Sequence, residues 1–288
     1  MPRRCLGVAL LRWRRFIYLN VTDMYEKHWK LKKLPFENTP DTEFFFESEK
    51  HEEAFSRLSY VISEKKSCAV LTGAYGTGKT LVLKALEREF QKKGYVFSFV
   101  NNPRLDDLGL LKMILHNFTG YDVPARKEDV LMGMEKLLRD THHDGKHVVV
   151  VVDEAQLIDD VSVFEELRLL LNFQTETRFL VTLVLSGQPE LKGKLDSNKQ
   201  FSQRIVLSYN LAALDFEETK KYIAHRLNIA GLDGKILDDA ALDLIYERSG
   251  GIPRWINNIA NMSMLTAFSK GDKTIGPETV VEAIESSK

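Results

Sequence analysis

Eight consecutive residues, Gly73-Ala74-Tyr75-Gly76-Thr77-Gly78-Lys79-Thr80, fit the spacing G-x-x-x-x-G-K-[ST]. Such a stretch cradles phosphate. Glycines let the main chain curl until its N–H groups converge on phosphate oxygens, and a helix N-terminus adds the positive end of its dipole. Lys79 has the length to reach β- and γ-phosphates, and the Thr80 hydroxyl is a ligand for Mg²⁺. The context agrees. An apolar run, Cys68-Ala69-Val70-Leu71, reads as a strand before the loop, and Leu81-Val82-Leu83, Ala85-Leu86 and Phe90 read as a helix after it.

A second group of reactive side chains lies at His147-Val-Val-Val-Val-Val-Asp153-Glu154. Five successive valines cannot form one amphipathic face; they describe a strand buried on both sides, as parallel sheets require. Asp153 and Glu154 then stand where that strand ends, the edge at which open α/β sheets bind ligands. Asp153 is the candidate for holding Mg²⁺ through water. Glu154 is the candidate for orienting and polarising the water that attacks a γ-phosphate. A plainer role for the acidic pair is to cap the helix that follows. The loop at 73–80 favours the catalytic role.

The elements that must position these groups alternate. A helix capped by Ser48 carries Ala54, Phe55, Leu58, Val61 and Ile62 at helical spacing. Strands are expected at 68–72, 95–100, 147–152, 179–185 and 205–211, with helices at 105–118, 128–139 and 161–173. Val161, Phe164, Leu167, Leu170 and Leu171 make one face of the last. This order implies a parallel five-stranded sheet flanked by helices. After Asp215 strand signals stop. Helices are expected at 217–229, 238–248, 253–268 and 277–284, with Asp238 as a cap and Pro253 opening a first turn. Three regions follow: a basic extension over 1–23, a nucleotide-binding α/β domain over 24–212 that begins with an irregular aromatic and proline-rich segment, and a small all-α domain over 213–288.

Bulk properties exclude other classes. The 288 residues suit one large domain or two modest ones, with 44% hydrophobic and 28% charged residues. Net charge is −1, so a nucleic-acid surface would have to be a local patch. The two cysteines, Cys5 and Cys68, are far apart and support neither a disulfide framework nor a Cys-rich metal site. The seven histidines show no metal-ligand spacing, and the tryptophans read as packing residues. Residues 1–15 hold five arginines around an apolar run too short to span a bilayer, and no later run approaches a transmembrane length.

With both motifs and the helical region placed, the chain resembles the AAA+ ATPases, and more narrowly the ExeA-type (general secretion pathway protein A-like) family. The likeness runs from about Met24 to Ile284. It is carried by Met24-Tyr25, Pro35-Phe36, Pro40-Asp41, His51-Glu52-Glu53-Ala54, the phosphate loop, Asp153-Glu154-Ala155-Gln156, and Glu166 to Asn172. Gly187-Gln188-Pro189-Glu190-Leu191, Gln203-Arg204-Ile205 and Ser249-Gly250-Gly251-Ile252-Pro253-Arg254 complete it. The resemblance implies a P-loop NTPase sheet with a helical lid, ATP and Mg²⁺ as ligands, and nucleotide contacts along Gly73 to Leu81. It also implies that Arg254 is a sensor-2 arginine reaching the γ-phosphate from the lid, and that Ser186 or Gln188 is sensor 1. Arg204 would be an arginine finger acting on a neighbouring subunit of a homo-oligomer. His51 lies near the nucleotide pocket in such proteins, and the 36–55 segment would serve the adenine. Ala74-Tyr75 departs from the family's usual acidic–apolar pair at positions that contribute mostly backbone.

Two roles follow from the resemblance. One is an assembly or remodelling ATPase of a secretion or pilus-type system, cytoplasmic and peripheral to the inner membrane through a protein partner. The other is a transposition-type regulator that binds duplex DNA, with Lys65-Lys66, Lys92-Lys93, Lys192, Lys194 and Lys199 as a basic lining. A slowly hydrolysing nucleotide-gated scaffold is a third role.

Overall fold

A computed structural model of the chain describes residues 23–232 and 234–286. They divide into two compact units: Pro40–Ala213, and a helical unit that joins Leu214 onward to the residues before Pro40. The basic extension expected over 1–23 lies, apart from Asp23, outside the described residues.

In the first unit β1 (Cys68–Thr72), β2 (Tyr95–Val100), β3 (His147–Val152), β4 (Val181–Gly187) and β5 (Ile205–Asn210) form one sheet in the order β2-β3-β4-β1-β5. Every neighbouring pair is parallel. The valine run explains how the sheet is covered. Val148, Val150 and Val152 face a core with Leu111, Leu138 and Leu167, while Val149 and Val151 face a second core with Leu58, Leu83 and Leu86. Alternate residues of one strand thus enter two apolar layers, each buried valine contributing about 1.5–3 kcal/mol. The first layer comes from helices Asp107–Thr119, Lys127–His143 and Val161–Leu170, the second from Glu49–Ser63 and Lys79–Gln91. Because all strands run one way, the loops after β1, β3 and β4 emerge from the same edge.

Local differences from the expected elements have physical causes. The helix starting at Val161 ends at Leu170, not Phe173, and β4 starts at Val181, not Phe179. Residues between them form an antiparallel bridge, Gln174 to Phe179, with Leu180 N–H donating to Phe173 O. Val161 is 68% exposed and Val163 takes the buried position instead. Short helices Glu190–Ser197 and Lys199–Ser202 fill the stretch before β5, where no element was expected.

The helical unit contains Phe216–Ile229, Asp239–Ser249, Pro253–Lys270 and Pro277–Glu285. Asp215 and Glu218 form a reciprocal capping box, and Asp238 accepts from Ala241 N–H as expected of a cap. Gly251 has φ +72, and a Cβ there would sit 1.9 Å from Leu214 O, so only glycine fits. The sequence grouped Met24 onward with the α/β domain; by its contacts the segment up to Thr39 joins the helical unit. The buried Arg226 guanidinium explains this. Its Nε and Nη2 donate to Pro35 O and Glu37 O at 2.5 and 2.9 Å, and Nη1 donates to Tyr222 OH at 2.8 Å. Burying a cation requires such compensation, so the strand of chain that supplies the carbonyls is held there.

Candidate functional site

The loop between β1 and helix Lys79–Gln91 is shaped by two glycines with positive φ, Gly76 at +86° and Gly78 at +100°. Gly78 is also the residue before the first helical turn, so the amides of that turn are directed out of the helix start. The loop is braced from inside the protein. His51 Nε2 donates to Thr77 O at 3.0 Å, and His51 Nδ1 lies 2.7 Å from Ser48 Oγ. A carbonyl can only accept, so Nε2 carries the proton and Nδ1 receives the serine's. A Cβ on Gly78 would stand 2.8 Å from His51 Nε2, which shows how closely the ring abuts the main chain. His51 therefore acts on the loop backbone; the resemblance put it near the nucleotide pocket, but not on Thr77 O, which lies 26 residues away in sequence.

Lys79 is 5% exposed, and its ammonium donates to Gly73 O at 2.9 Å and Ala74 O at 3.0 Å, which holds it across the loop. Thr77 Oγ1 donates to Ala74 O at 2.9 Å. Tyr75 is 52% exposed. Leu81 is half-buried, and its N–H donates to Gly78 O in the first turn of the helix, inside the loop rather than out of it.

The two motifs meet through side chains. Thr80 Oγ1 donates to Asp153 Oδ2 at 2.6 Å, across 73 residues of sequence. Asp153 is 4% exposed, and its other oxygen accepts from Glu154 N–H at 3.0 Å. Helix capping is not what the acidic pair does, because Glu154 makes no side-chain cap bond to the short 3-10 turn Ala155–Leu157. Glu154 has φ +53 and ψ +34, the left-handed region that non-glycine residues enter at a cost. Its Oε2 accepts from Gln156 Nε2 at 2.6 Å. Gln156 Oε1 in turn accepts from Gln188 N–H at 3.0 Å, beyond the end of β4. Lys194 Nζ donates to Gln156 O, Ile158 O and Asp159 Oδ1 at 2.7, 2.8 and 2.9 Å, clamping the turn onto helix Glu190–Ser197.

The two sensor-1 candidates occupy different positions. Ser186 is fully buried with a hydroxyl that has no hydrogen-bond partner among the described residues, while Gln188 is partly exposed. Val152 pairs with Leu185, so the next step of the register sets Asp153 beside Ser186, both on the face of helix Lys79–Gln91. Arg204 lies elsewhere. It precedes Ile205, which pairs with Cys68 at the start of β1, whereas the loop begins at Gly73 beyond the end of that strand. Five residues of strand separate them, about 16 Å, farther than an arginine side chain extends. Arg204 Nη2 donates to Asn172 Oδ1 at 3.0 Å. Arg254 is the second residue of helix Pro253–Lys270 in the helical unit and is half-buried.

The donor set fits a phosphate ligand with a hard divalent cation. A hydroxyl and a carboxylate oxygen stand together at a helix N-terminus, and Mg²⁺ is commonly held by one or two such oxygens plus substrate phosphates. Among the described residues no cluster of three His, Cys, Asp or Glu side chains forms a metal cage. No described helix is long and apolar enough to cross a membrane. Of the lysines expected to line DNA, Lys92 and Lys93 pair with Glu89, and Lys194 is committed inside the fold.

Known proteins resemble this chain in three ways. Residues 62–195 match the AAA domain family. Over 258 residues the chain is 35% identical to general secretion pathway protein A of Aeromonas hydrophila, covering 88% of this chain and 46% of that protein. Over 179 residues it is 27% identical to an uncharacterized HTH-type transcriptional regulator of Methanocaldococcus jannaschii, covering 60% and 43%. The chain thus spans about half the length of the curated relatives it matches. Among solved structures, Aeropyrum pernix ORC2 in its ADPNP-ADP complexes aligns with a TM-score of 0.63 at 18% identity, over 81% of this chain and 66% of that one. The RuvB Holliday junction branch migration motor of Thermotoga maritima aligns at 0.59 and 20% identity, over 84% and 70%. At those identities the likeness is one of fold.

Proposed function

We propose that this chain, a member of the AAA+ ATPases of the general secretion pathway protein A type, binds Mg-ATP on Gly73–Thr80 and hydrolyses it with Glu154 as the activating base. The observation that carries this is the 2.6 Å bond from Thr80 to Asp153, which draws the phosphate loop and the acidic end of β3 into one site.

The residues divide the work. The amides of the loop bind β- and γ-phosphate oxygens, apart from those of Gly73 and Thr77, which donate to Gly187 O and Ala74 O, and Lys79 turns its ammonium from the loop carbonyls to the same oxygens. Thr80 and Asp153 would hold a magnesium ion, which would supply charge neutralisation to the phosphates. Glu154 accepts a hydrogen bond from the attacking water and draws its proton as the new phosphorus–oxygen bond forms and the bond to the bridging oxygen breaks. Ser186, whose buried hydroxyl stands beside Asp153 with no partner among the described residues, is favoured over Gln188 as the sensor on β4. Arg254 serves as the lid's cation for the γ-phosphate. Leu81 contributes packing rather than an amide, which it gives to Gly78 O.

Glu154→Gln tests the chemistry. Hydrolysis should fall by about 10²–10⁴ with Mg-ATP affinity retained, read by phosphate release and by titration with a fluorescent nucleotide. Wild-type turnover in that variant would remove Glu154 from the mechanism.

Arg204 cannot reach the loop of its own chain, so an arginine-finger role requires a second copy. The oligomer then completes the site, and turnover per chain should rise with protein concentration in the wild type but not in Arg204→Ala. The partner is a component of a secretion or pilus-type assembly, in keeping with the Aeromonas relative. The alternative partner, duplex DNA, draws on neighbours of like fold such as Drosophila ORC bound to DNA. It is the weaker of the two, because three of the lysines it needs are already paired. An ATP-dependent mobility shift of duplex DNA at low salt would reverse that order.

A further inference from the structure

The geometry points to Gln156 as a positioning residue for hydrolysis: a two-ended latch that ties the Glu154 carboxylate to the end of β4. This rests on Glu154 being the base. The side chain is used at both ends, Nε2 donating to Glu154 Oε2 at 2.6 Å and Oε1 accepting from Gln188 N–H at 3.0 Å. A glutamine amide is the group suited to this, since it carries a donor and an acceptor on one rigid plane. A glutamate there would set two carboxylates against each other, and an apolar residue would leave Glu154 unheld.

Three further features indicate that the surroundings are shaped around this amide. Gly187 leaves room for it, because a Cβ on Gly187 would stand 2.5 Å from Gln156 Oε1. Lys194 fixes the main chain of the same residue through Gln156 O. Glu154 itself is in the left-handed region, where its side-chain direction depends on whatever holds the carboxylate. Glu154 has the freedom of a long side chain, and the amide removes it before water attacks the γ-phosphate. Since the other end of the latch is the first amide past β4, a shift of that strand end on nucleotide binding is passed directly to the base.

The test compares Gln156→Ala with Gln156→Met, which keeps length and volume but has no amide. If the amide positions Glu154, both variants lose about ten- to a hundred-fold in kcat, with KM and fluorescent-nucleotide affinity within about twofold of wild type. Gly187→Ala, which displaces the amide while leaving Gln156 in place, should show the same split. Combined with Gln156→Ala it should add little, because both substitutions break one latch. A Gln156→Met protein with wild-type kcat overturns the inference, as does a loss of nucleotide affinity equal to the loss of kcat, which would mark a structural filler. Additive effects of Gly187→Ala and Gln156→Ala also overturn it. Glu154→Gln run alongside separates the two levels. If it is inactive while both Gln156 variants turn over normally, only the latch fails; if it turns over normally, the assignment of the base fails.

Discussion

Two turns at the same edge of the sheet solve the problem of holding reactive groups in different ways. The loop after β1 is built from backbone. Its shape is set by positive φ at Gly76 and Gly78, its carbonyls hold Lys79, and Tyr75 points outward. The turn after β3 is built from side chains. Asp153, Glu154, Gln156 and Lys194 interlock with Thr80 and with the end of β4. A backbone site tolerates most side chains but few changes of conformation; a side-chain site tolerates conformation but few changes of type.

That contrast can be broken most severely at Gly78. Gly78→Ala forces a Cβ into both an unfavourable φ and the 2.8 Å gap to His51, and should weaken Mg-ATP binding by about 100-fold or more in calorimetry. A binding constant within twofold of wild type would mean the loop is not backbone-defined.

The next effect separates the sheet's stability from the site. His147 opens the same strand that leads to Asp153, and burial holds its imidazole pKa down from 6.5 to about 3. Thr182 Oγ1 gives its own proton to Lys66 O, so His147 Nε2–H must be the donor to Thr182 at 2.9 Å, and the ring is neutral. Between pH 6.5 and 3 the unfolded chain binds a proton that the folded chain refuses. Stability is therefore lost as pH falls through that window, by at most about 1.4 kcal/mol per unit. Thermal melts at stepped pH should show the decline, and His147→Phe should flatten it between pH 6.5 and 4. An equally steep decline in the variant would assign the acid sensitivity elsewhere.

A smaller effect is expected at the brace. His51→Ala removes the ring's hydrogen bonds to Thr77 O and Ser48 Oγ and the ring behind Gly78, and should weaken nucleotide binding about tenfold with little change in kcat. The smallest effect is the sharpest check on the comparison. Replacing Ala74 and Tyr75 together by glutamate and valine changes two side chains without touching loop conformation. Mg-ATP affinity should remain within about twofold, whereas a tenfold change would show that side chains help define this turn too.

Much of this was legible from residue order. The spacing of Gly73, Gly78, Lys79 and Thr80 identified the loop because only certain residue types permit that backbone. The valine run declared a strand buried on both faces, and Asp238 and Pro253 marked helix starts through local chemistry. Less legible was the end of the helix begun at Val161. Leu171 and Phe173 continue its apolar period, yet the main chain leaves it for a bridge at Gln174 and Phe179. The segment before Pro40 was misgrouped for a related reason: what holds it is Arg226, some 190 residues away, and no local pattern announces that bond.

Residue order alone determined what depends on near neighbours: which backbone can turn at Gly76 and Gly78, which strand is two-faced, where helices start. Tertiary structure alone decided what depends on distant partners, namely that His51 stands behind the loop, that Thr80 meets Asp153, and that Gln156 joins Glu154 to β4. Hydrogen bonds and close contacts act over a few ångströms of space, and only folding converts long separations in the chain into such distances.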